Sequence, residues 1–121
     1  MKIRIKGNTL RIRLTQSEIE ELKQKGSVKE CTEFPAGNTF CYQVIESNKF
    51  ECNFKENMVT VKLDAAHIKE WANSDQVSIG GDLNLEKDAK LSILVEKDFK
   101  CLTDRPEDES DMFPNPLKNH C

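Results

Sequence analysis

Residues that could bind a metal ion are concentrated near the C-terminal end of this 121-residue chain. The candidates are Cys101, Asp111, His120 and Cys121. Thiolate and imidazole groups are ligands that zinc prefers, and carboxylates add oxygen donors to zinc or iron sites. The spacing of the four residues matches no established zinc motif. The sequence therefore offers a zinc or iron site as an alternative hypothesis only.

Residues that could catalyse a reaction without a metal are scarce. The chain has two histidines, and His67 falls in the first turn of a predicted helix, where it is expected to be exposed or to help cap the helix. The sequence contains no Ser-His-Asp arrangement, no phosphate-cradling glycine loop and no dinucleotide fingerprint. Cys52 lies on the same strand face as Phe50 and Phe54, because every second residue of a strand points to the same side. We therefore interpret Cys52 as a core residue. The sequence therefore predicts no catalytic residue and favours a protein that is not an enzyme.

A cationic strand face near the N-terminus is the second feature that could form a functional site. The turn signal at residues 7–8 predicts a hairpin that sets Arg4 opposite Arg11 and Lys2 opposite Arg13. The cations on this face are Lys2, Arg4, Lys6, Arg11 and Arg13. Directly opposed like charges destabilise a hairpin, so we expect a compensating anion. This face is the candidate binding site for a protein or an anionic small molecule.

Composition limits the class of partner and the compartment. The formal net charge is -3 and the isoelectric point is about 5.5, which disfavours a nucleic-acid partner. No apolar run is long enough to span a membrane, and the first residues lack a signal-peptide core. The five cysteines are odd in number and include no Cys-x-x-Cys pair. These features predict reduced thiols and a cytoplasmic protein without a membrane partner.

The chain also repeats itself at a constant offset of forty-nine residues. This offset aligns Ile19 with Ile68 without a gap, and it aligns Thr15 with Asp64, which we predict to be helix N-caps. Each copy is expected to fold as strand-strand-helix-strand-strand. In the second copy we expect a short strand over Val77–Gly80, with Gly80-Gly81 forming a turn.

The repeat predicts an α+β fold in a single domain of residues 1–121. The two units, residues 1–47 and 50–96, would each expose an apolar sheet face if alone. We therefore expect them to bury these faces together as a pseudo-twofold antiparallel barrel or sandwich. Residues 97–121 have no counterpart in the repeat and are expected to form an irregular C-terminal segment that wraps over the barrel.

The stretch from Asp104 to Asp111 is the densest source of carboxylates in the chain. It lies in the only segment outside the repeat. We predict that this segment folds back onto the cationic hairpin face, anchored by Phe99, Met112 and Phe113. Such contacts would be partly exposed and sensitive to salt.

The two ends of the chain resemble an uncharacterised bacterial family, a domain of unknown function. The resemblance is carried by residues 1–15 and by the sequences EKDFKCL at 96–102 and EDESDMFPNP at 107–116. It implies a small soluble bacterial protein and supplies no catalytic or binding residue. The favoured hypothesis is thus a non-enzymatic binding module with a basic hairpin face and an acidic tail. The alternative is a small metal-binding protein or enzyme that uses Cys101 and the acidic, histidine and cysteine residues that follow it.

Overall fold

The computed structural model describes residues 1–99 and residue 113. This part of the chain forms eight strands and two α-helices. In chain order they are β1 (Lys2–Lys6), β2 (Thr9–Leu14), α1 (Gln16–Lys25), β3 (Ser27–Glu33), β4 (Thr39–Ser47), β5 (Glu51–Lys55), β6 (Met58–Asp64), α2 (Ala65–Ala72), β7 (Ser78–Asn84) and β8 (Lys90–Lys97). Short 3₁₀ turns at Pro35–Gly37 and Glu86–Asp88 connect β3 to β4 and β7 to β8. The predicted α+β class is confirmed.

The strands form two four-stranded sheets, with the orders β1-β2-β8-β7 and β3-β4-β6-β5. Each sheet consists of two antiparallel pairs joined at the centre by a parallel pair, β2 with β8 or β4 with β6. The antiparallel prediction is wrong at these central pairs, and the described residues form no closed barrel. The reason is that each helix carries the chain from one sheet to the other. A hairpin from one half of the chain therefore pairs with a hairpin from the other half.

The two halves of the chain correspond at two offsets instead of one. The strands β1 and β2 match β5 and β6 at an offset of 49, whereas β3 and β4 match β7 and β8 at an offset of 51. The helix α2 has 8 residues and α1 has 10, and the connection from Asn73 to Ser78 is longer than the one from Gly26 to Ser27. The gapless register predicted from the sequence is therefore wrong after the helix.

One hydrophobic core contains residues of both sheets and both helices. Its sixteen buried apolar residues form eight pairs at these two offsets. The pairs are Leu10 and Val59, Ile12 and Val61, Leu14 and Leu63, Ile19 and Ile68, Leu22 and Trp71, Val28 and Ile79, Tyr42 and Ile93, and Val44 and Val95. Trp71 is the largest fully buried side chain, and its indole N–H donates to the carbonyl of Val77 at 3.1 Å. Each half thus contributes matching positions to the same core.

Both predicted N-caps are confirmed. The hydroxyl of Thr15 accepts a hydrogen bond from the backbone N–H of Glu18, and the Glu18 carboxylate accepts one from the backbone N–H of Thr15 at 2.9 Å. The carboxylate of Asp64 accepts hydrogen bonds from the N–H groups at the start of α2. The α-ammonium of Met1 also donates to Glu18 at 2.7 Å. Burial opposes ionisation of Glu18, but the hydrogen bonds from Met1 and Thr15 outweigh it and lower the pKa of Glu18.

Cys31 and Cys41 face each other across β3 and β4 and form a disulfide bond. The prediction that the thiols are reduced is wrong for this pair, because strand pairing brings together cysteines that are 10 residues apart. Disulfides persist mainly in oxidising compartments. Reduced thiols were one basis of the cytoplasmic prediction, and this basis does not hold for Cys31 and Cys41. The cytoplasmic location stays a prediction. Among the described residues, neither helix has the length and apolar character needed to cross a membrane.

Gly80 and Gly81 lie inside β7 and not in the turn predicted for them. The strand continues to Asn84, which pairs with Lys90. Gly80 has a φ of +150°, and a Cβ atom at this position would overlap the carbonyl oxygen of Ile93 on β8. Glycine is thus required here because the two strands approach each other closely.

Candidate anion-binding site

The predicted cations lie together on one face of the hairpin formed by β1 and β2. The register sets Arg4 opposite Arg11 and Lys2 opposite Arg13, as predicted. Every second residue of β2 is buried in the core, so the side chains between them point away from it. We refer to Lys2, Arg4, Lys6, Arg11 and Arg13 as the basic face.

Most of the basic face surrounds a surface cleft of about 220 Å³. The cleft, which we call the basic cleft, is lined by Lys2, Ile3, Arg4, Arg11 and Arg13. Lys6 lies beside the turn opposite Thr9 and is not among the described lining residues. The cleft is smaller than pockets that hold a cofactor or a drug-sized ligand. Its size suits one carboxylate or phosphate group.

Strand β8 brings two carboxylates to the basic face. In the parallel pair with β2, Glu96 lies opposite Arg13, and its Oε1 atom is 3.9 Å from Nε of Arg13. Asp98 follows β8, and its Oδ2 atom is 3.5 Å from Nζ of Lys2. Sequence reasoning missed both carboxylates, because the pairing of β2 with β8 joins distant parts of the chain and has no local signal.

The carboxylate of Glu96 is incompletely satisfied within the described residues. Its Oε1 atom is buried and accepts no hydrogen bond there. The ion pair with Arg13 is too long to be a hydrogen bond. Arg4 and Arg11, at the centre of the cleft, also have interaction partners. An anion that enters the basic cleft would therefore exchange existing contacts of these cations for new ones.

The corresponding face of the other sheet provides an internal comparison. There Glu51 pairs with Lys62 and Asn53 pairs with Thr60. The Lys62 Nζ atom is 3.8 Å from Oε2 of Glu51, and the Thr60 hydroxyl accepts a hydrogen bond from Nε2 of Gln43 at 3.0 Å. The four positions that correspond to the cations lining the basic cleft thus hold one acidic, one basic and two neutral residues. Glu51 is also paired with Lys49, whose Nζ atom lies 2.6 Å from Oε1 of Glu51. The fold therefore does not require the cations of the basic face.

Two further cavities are lined by mixed polar and apolar residues. One of about 420 Å³ lies between α1, α2 and the end of β8, and Phe99 lines it. Another, of about 350 Å³, is lined in part by His67, Glu70 and Ser78. No hydrogen bond joins any two of these three side chains in the described part of the chain.

The cysteine and metal hypotheses have different outcomes. Cys52 packs against the core as predicted, and burial raises the pKa of its thiol, which disfavours a reactive thiolate. Residues 1–99 and 113 contain no group of histidine, cysteine and acidic side chains that could hold a metal. The proposed ligands Cys101, Asp111, His120 and Cys121 lie outside the described residues. The metal hypothesis stays a prediction that elemental analysis of the purified, untagged protein would test.

Comparison with known proteins places the chain in a family. Residues 1–117 match the family of unknown function DUF7009. The match spans both sheets and the basic face, and it confirms the predicted resemblance to a domain of unknown function. No curated protein and no solved structure matches the chain. The chain therefore belongs to DUF7009, a family of unknown function.

Proposed function

We propose that the chain is a small non-enzymatic binding module whose basic cleft binds an anionic group of a protein or small-molecule partner. The observation that carries this proposal is the contrast between two corresponding strand pairs. The pair β1–β2 gathers four cations around one cleft, whereas β5–β6 has a balanced ion pair and neutral residues at the same positions. Since the fold does not require the cations, their clustering supports a role in binding.

The geometry of the cleft suits a compact anion with two or more oxygen atoms. Arg4 and Arg11 lie directly opposite each other, so one carboxylate or phosphate can contact both guanidinium groups. Guanidinium groups present paired donors that match the oxygens of such anions. The overall charge of -3 repels an extended polyanion such as a nucleic acid more than it repels a single group.

The exposure of the cations implies modest affinity for any one anionic group. The side chain of Lys2 is 73% exposed and that of Arg13 is 35% exposed. Solvent and salt screen contacts of this kind, so each contributes little. A partner that presents several carboxylates would bind more tightly than one small anion, because several weak contacts then form together.

A titration of the full-length protein tests this proposal. The probes are inorganic phosphate and a fluorescent glutamate hexapeptide at low salt. The double variant Arg4→Gln, Arg11→Gln removes two charges from the cleft, and the matched control Lys29→Gln, Lys55→Gln removes two charges from exposed positions on the other sheet. Thermal melts establish that each variant is folded.

We expect the Arg4 and Arg11 variant to bind the peptide about tenfold more weakly, because two partly exposed ion pairs that contribute up to about 1 kcal/mol each are lost. The control variant should retain the affinity of the wild type. Absence of binding to both probes would refute the proposal. Equal losses in the two variants would refute it as well, since binding would then follow overall charge.

We also infer that the fold arose as two duplicated units that form a pseudo-twofold sandwich. The inference is supported by the eight pairs of buried core residues. It is also supported by the sheet topology, because each strand of one unit and its counterpart in the other unit lie in different sheets. In an experimental structure, β1, β2 and α1 should superpose on the segments that lie 49 residues later in the chain. The strands β3 and β4 should superpose on the segments that lie 51 residues later. Strand directions or orders that differ between the two units would contradict the inference.

A further inference from the structure

We propose that the basic cleft and the cavity of about 350 Å³ that Ser78 and Gly80 line form one site for a phosphate monoester carrying a planar ring. We call the second of these the β7 cavity. The phosphate binds to Arg4 and Arg11, and the ring lies on Leu94 and extends towards Gly80. This inference rests on the proposed function of the basic cleft and names the chemistry of its ligand.

The two cavities are neighbours because of the strand register of their sheet. Arg4 lies opposite Arg11, and Arg11 lies opposite Leu94. Leu94 in turn lies opposite Gly80, so the four residues form one row across β1, β2, β8 and β7. Arg11 lines the basic cleft and Leu94 lines the β7 cavity. Because neighbouring strands are about 4.8 Å apart and paired residues share a face, the two cavities begin one strand spacing apart on the same face.

Leu94 gives this row an apolar floor. It points away from the core, since its neighbours along the strand, Ile93 and Val95, are buried, and it is itself half-buried. Gly80 beside it is exposed and has no side chain, so one flank of Leu94 is left uncovered. A glycine within a strand also allows a ligand to approach the backbone closely. The row therefore offers an apolar surface against which a planar ring can pack.

The β7 cavity adds polar groups around this floor. Its lining includes the imidazole of His67, the carboxylate of Glu70, the amide of Gln76 and the hydroxyl of Ser78. These groups include hydrogen-bond donors and acceptors, so polar atoms on the edge of a ring can be bound here. The volume of the β7 cavity also falls within the range of small-molecule sites, which the basic cleft alone does not reach.

The corresponding row of the other sheet has none of these properties. At the positions of Arg4, Arg11, Leu94 and Gly80 it has Asn53, Thr60, Gln43 and Lys29. The hydroxyl of Thr60 accepts a hydrogen bond from Nε2 of Gln43 at 3.0 Å, so polar side chains of that row bind each other. The row in the first sheet thus differs at every position, and the differences together favour an anion joined to an apolar ring.

The cations favour phosphate over carboxylate as the anionic group. A phosphate monoester carries about 1.5–2 negative charges at pH 7 and has three acceptor oxygens. Arg4, Arg11 and Arg13 all line the cleft, so their guanidinium groups can share these oxygens. A carboxylate has a single charge and two oxygens. The phosphate would replace existing contacts of Arg4 and Arg11, which have other interaction partners.

The proposed site consists only of residues that the structure describes. Asp104 to Asp111, predicted to dock on the basic face, lie outside the described residues, and their docking stays a prediction. Met112 also lies outside them. Phe99 is 59% exposed and Phe113 is 96% exposed. The prediction that Phe113 anchors this segment on the fold is therefore wrong.

Titrations of the full-length protein followed by NMR test the inference. The probes are methyl phosphate, phenyl phosphate and adenosine monophosphate, which differ in the group that the phosphate carries. The variant Leu94→Gln introduces the residue type found at the corresponding position, Gln43, of the other sheet. The matched control Ile45→Gln replaces a half-buried apolar residue that points away from the core on β4. Arg4→Gln, Arg11→Gln is the third protein, and thermal melts establish that each variant is folded.

We expect phenyl phosphate to bind the wild type about tenfold more tightly than methyl phosphate, because the ring removes on the order of 50 Å² of apolar surface from water. Leu94→Gln should lose most of this difference and keep its affinity for methyl phosphate. Ile45→Gln should keep the difference. The amide resonances of Leu94 and Gly80 should shift with phenyl phosphate but not with methyl phosphate.

Adenosine monophosphate identifies the source of the ring. Binding at least as tight as that of phenyl phosphate, with shifts of the Gln76 and Ser78 amides, would assign the site to a nucleotide whose base enters the β7 cavity. Weaker binding would assign it to a simple aryl phosphate.

The outcomes separate this inference from the proposed function. If methyl and phenyl phosphate bind equally and Arg4→Gln, Arg11→Gln weakens both, the cleft binds anions but the inference is overturned. Binding of the glutamate hexapeptide without binding of either phosphate ester has the same meaning. If none of these probes binds, the proposed function fails too. An equal loss in Ile45→Gln would attribute the gain to outward-facing apolar residues in general and overturn the inference.

Discussion

Replacement of Gly80 by alanine should destabilise the fold, because β7 and β8 are too close at this point for a side chain. Gly80 has a φ of +150°, in a region that residues with a Cβ atom rarely adopt. A Cβ atom would overlap the carbonyl oxygen of Ile93 and lie 3.2 Å from the Cα atom of Leu94. Both obstacles are backbone atoms of the neighbouring strand, so they cannot move aside as a flexible side chain would.

The expected loss of stability has two parts. Holding alanine in the strained backbone conformation costs about 1–3 kcal/mol. Relieving the overlap with Ile93 also moves β7 away from β8, which breaks one or two ladder hydrogen bonds that contribute about 0.5–1.5 kcal/mol each. Alanine also lowers the conformational entropy of the unfolded chain, and this effect stabilises the folded state by about 0.4–1 kcal/mol. We therefore expect Gly80→Ala to lower the free energy of unfolding by about 2–3 kcal/mol, which corresponds to a decrease in Tm of about 8–20 °C.

Urea unfolding monitored by fluorescence measures this effect, because Trp71 is the single tryptophan and is fully buried. The adjacent Gly81→Ala is the matched control. A Cβ atom at Gly81 would lie 3.6 Å from a ring carbon of Phe50, which is an ordinary contact. Gly81→Ala should leave stability within about 1 kcal/mol of the wild type. If Gly80→Ala is as stable as Gly81→Ala, the argument from close strand approach is refuted.

The remaining predictions concern the helix caps, one titrating group and the disulfide. Thr15→Ala and Asp64→Ala should each lower the free energy of unfolding by about 0.5–2 kcal/mol in chemical melts, and unchanged stability in both would contradict the two caps. Because the folded pKa of Glu18 is lowered from 4.5, its ionised form should stabilise the protein above that pH and lose the effect as the pH falls. The difference in stability between wild type and Glu18→Gln should therefore shrink below about pH 4.5, and a difference that is constant with pH would argue against this role. Peptide mapping without reductant should recover Cys31 linked to Cys41, whereas alkylation of both thiols in the native protein would exclude the bond.

Features that depend on a few neighbouring residues could be predicted from the sequence. The turn at residues 7–8 sets the register that opposes Arg4 and Arg11, as found. The caps at Thr15 and Asp64 and the inward position of Cys52 were also predicted correctly. In each case the signal and the structure it determines lie within a few residues, so the alternation of side chains and the capping pattern suffice.

The shift from an offset of 49 to 51 could not be predicted from the same pattern. Side chains alternate with a period of two, so a displacement by two residues leaves every side chain on its original face. The hydrophobic pattern of β7 and β8 therefore fits both registers. Only packing in the core distinguishes the two registers. At an offset of 51, the buried residue Val28 corresponds to the buried residue Ile79, and Val44 corresponds to Val95.

One part of the candidate site could likewise be predicted from the sequence, and another part could not. The sequence by itself determined that the cations share one face of a hairpin, because strand alternation and a local turn are enough to place them. Only the tertiary structure placed Glu96 and Asp98 beside that face and closed the disulfide between Cys31 and Cys41. These contacts depend on which strands become neighbours and in which direction they run. That choice is made by burial of a core shared by both halves of the chain, which no local stretch of sequence specifies.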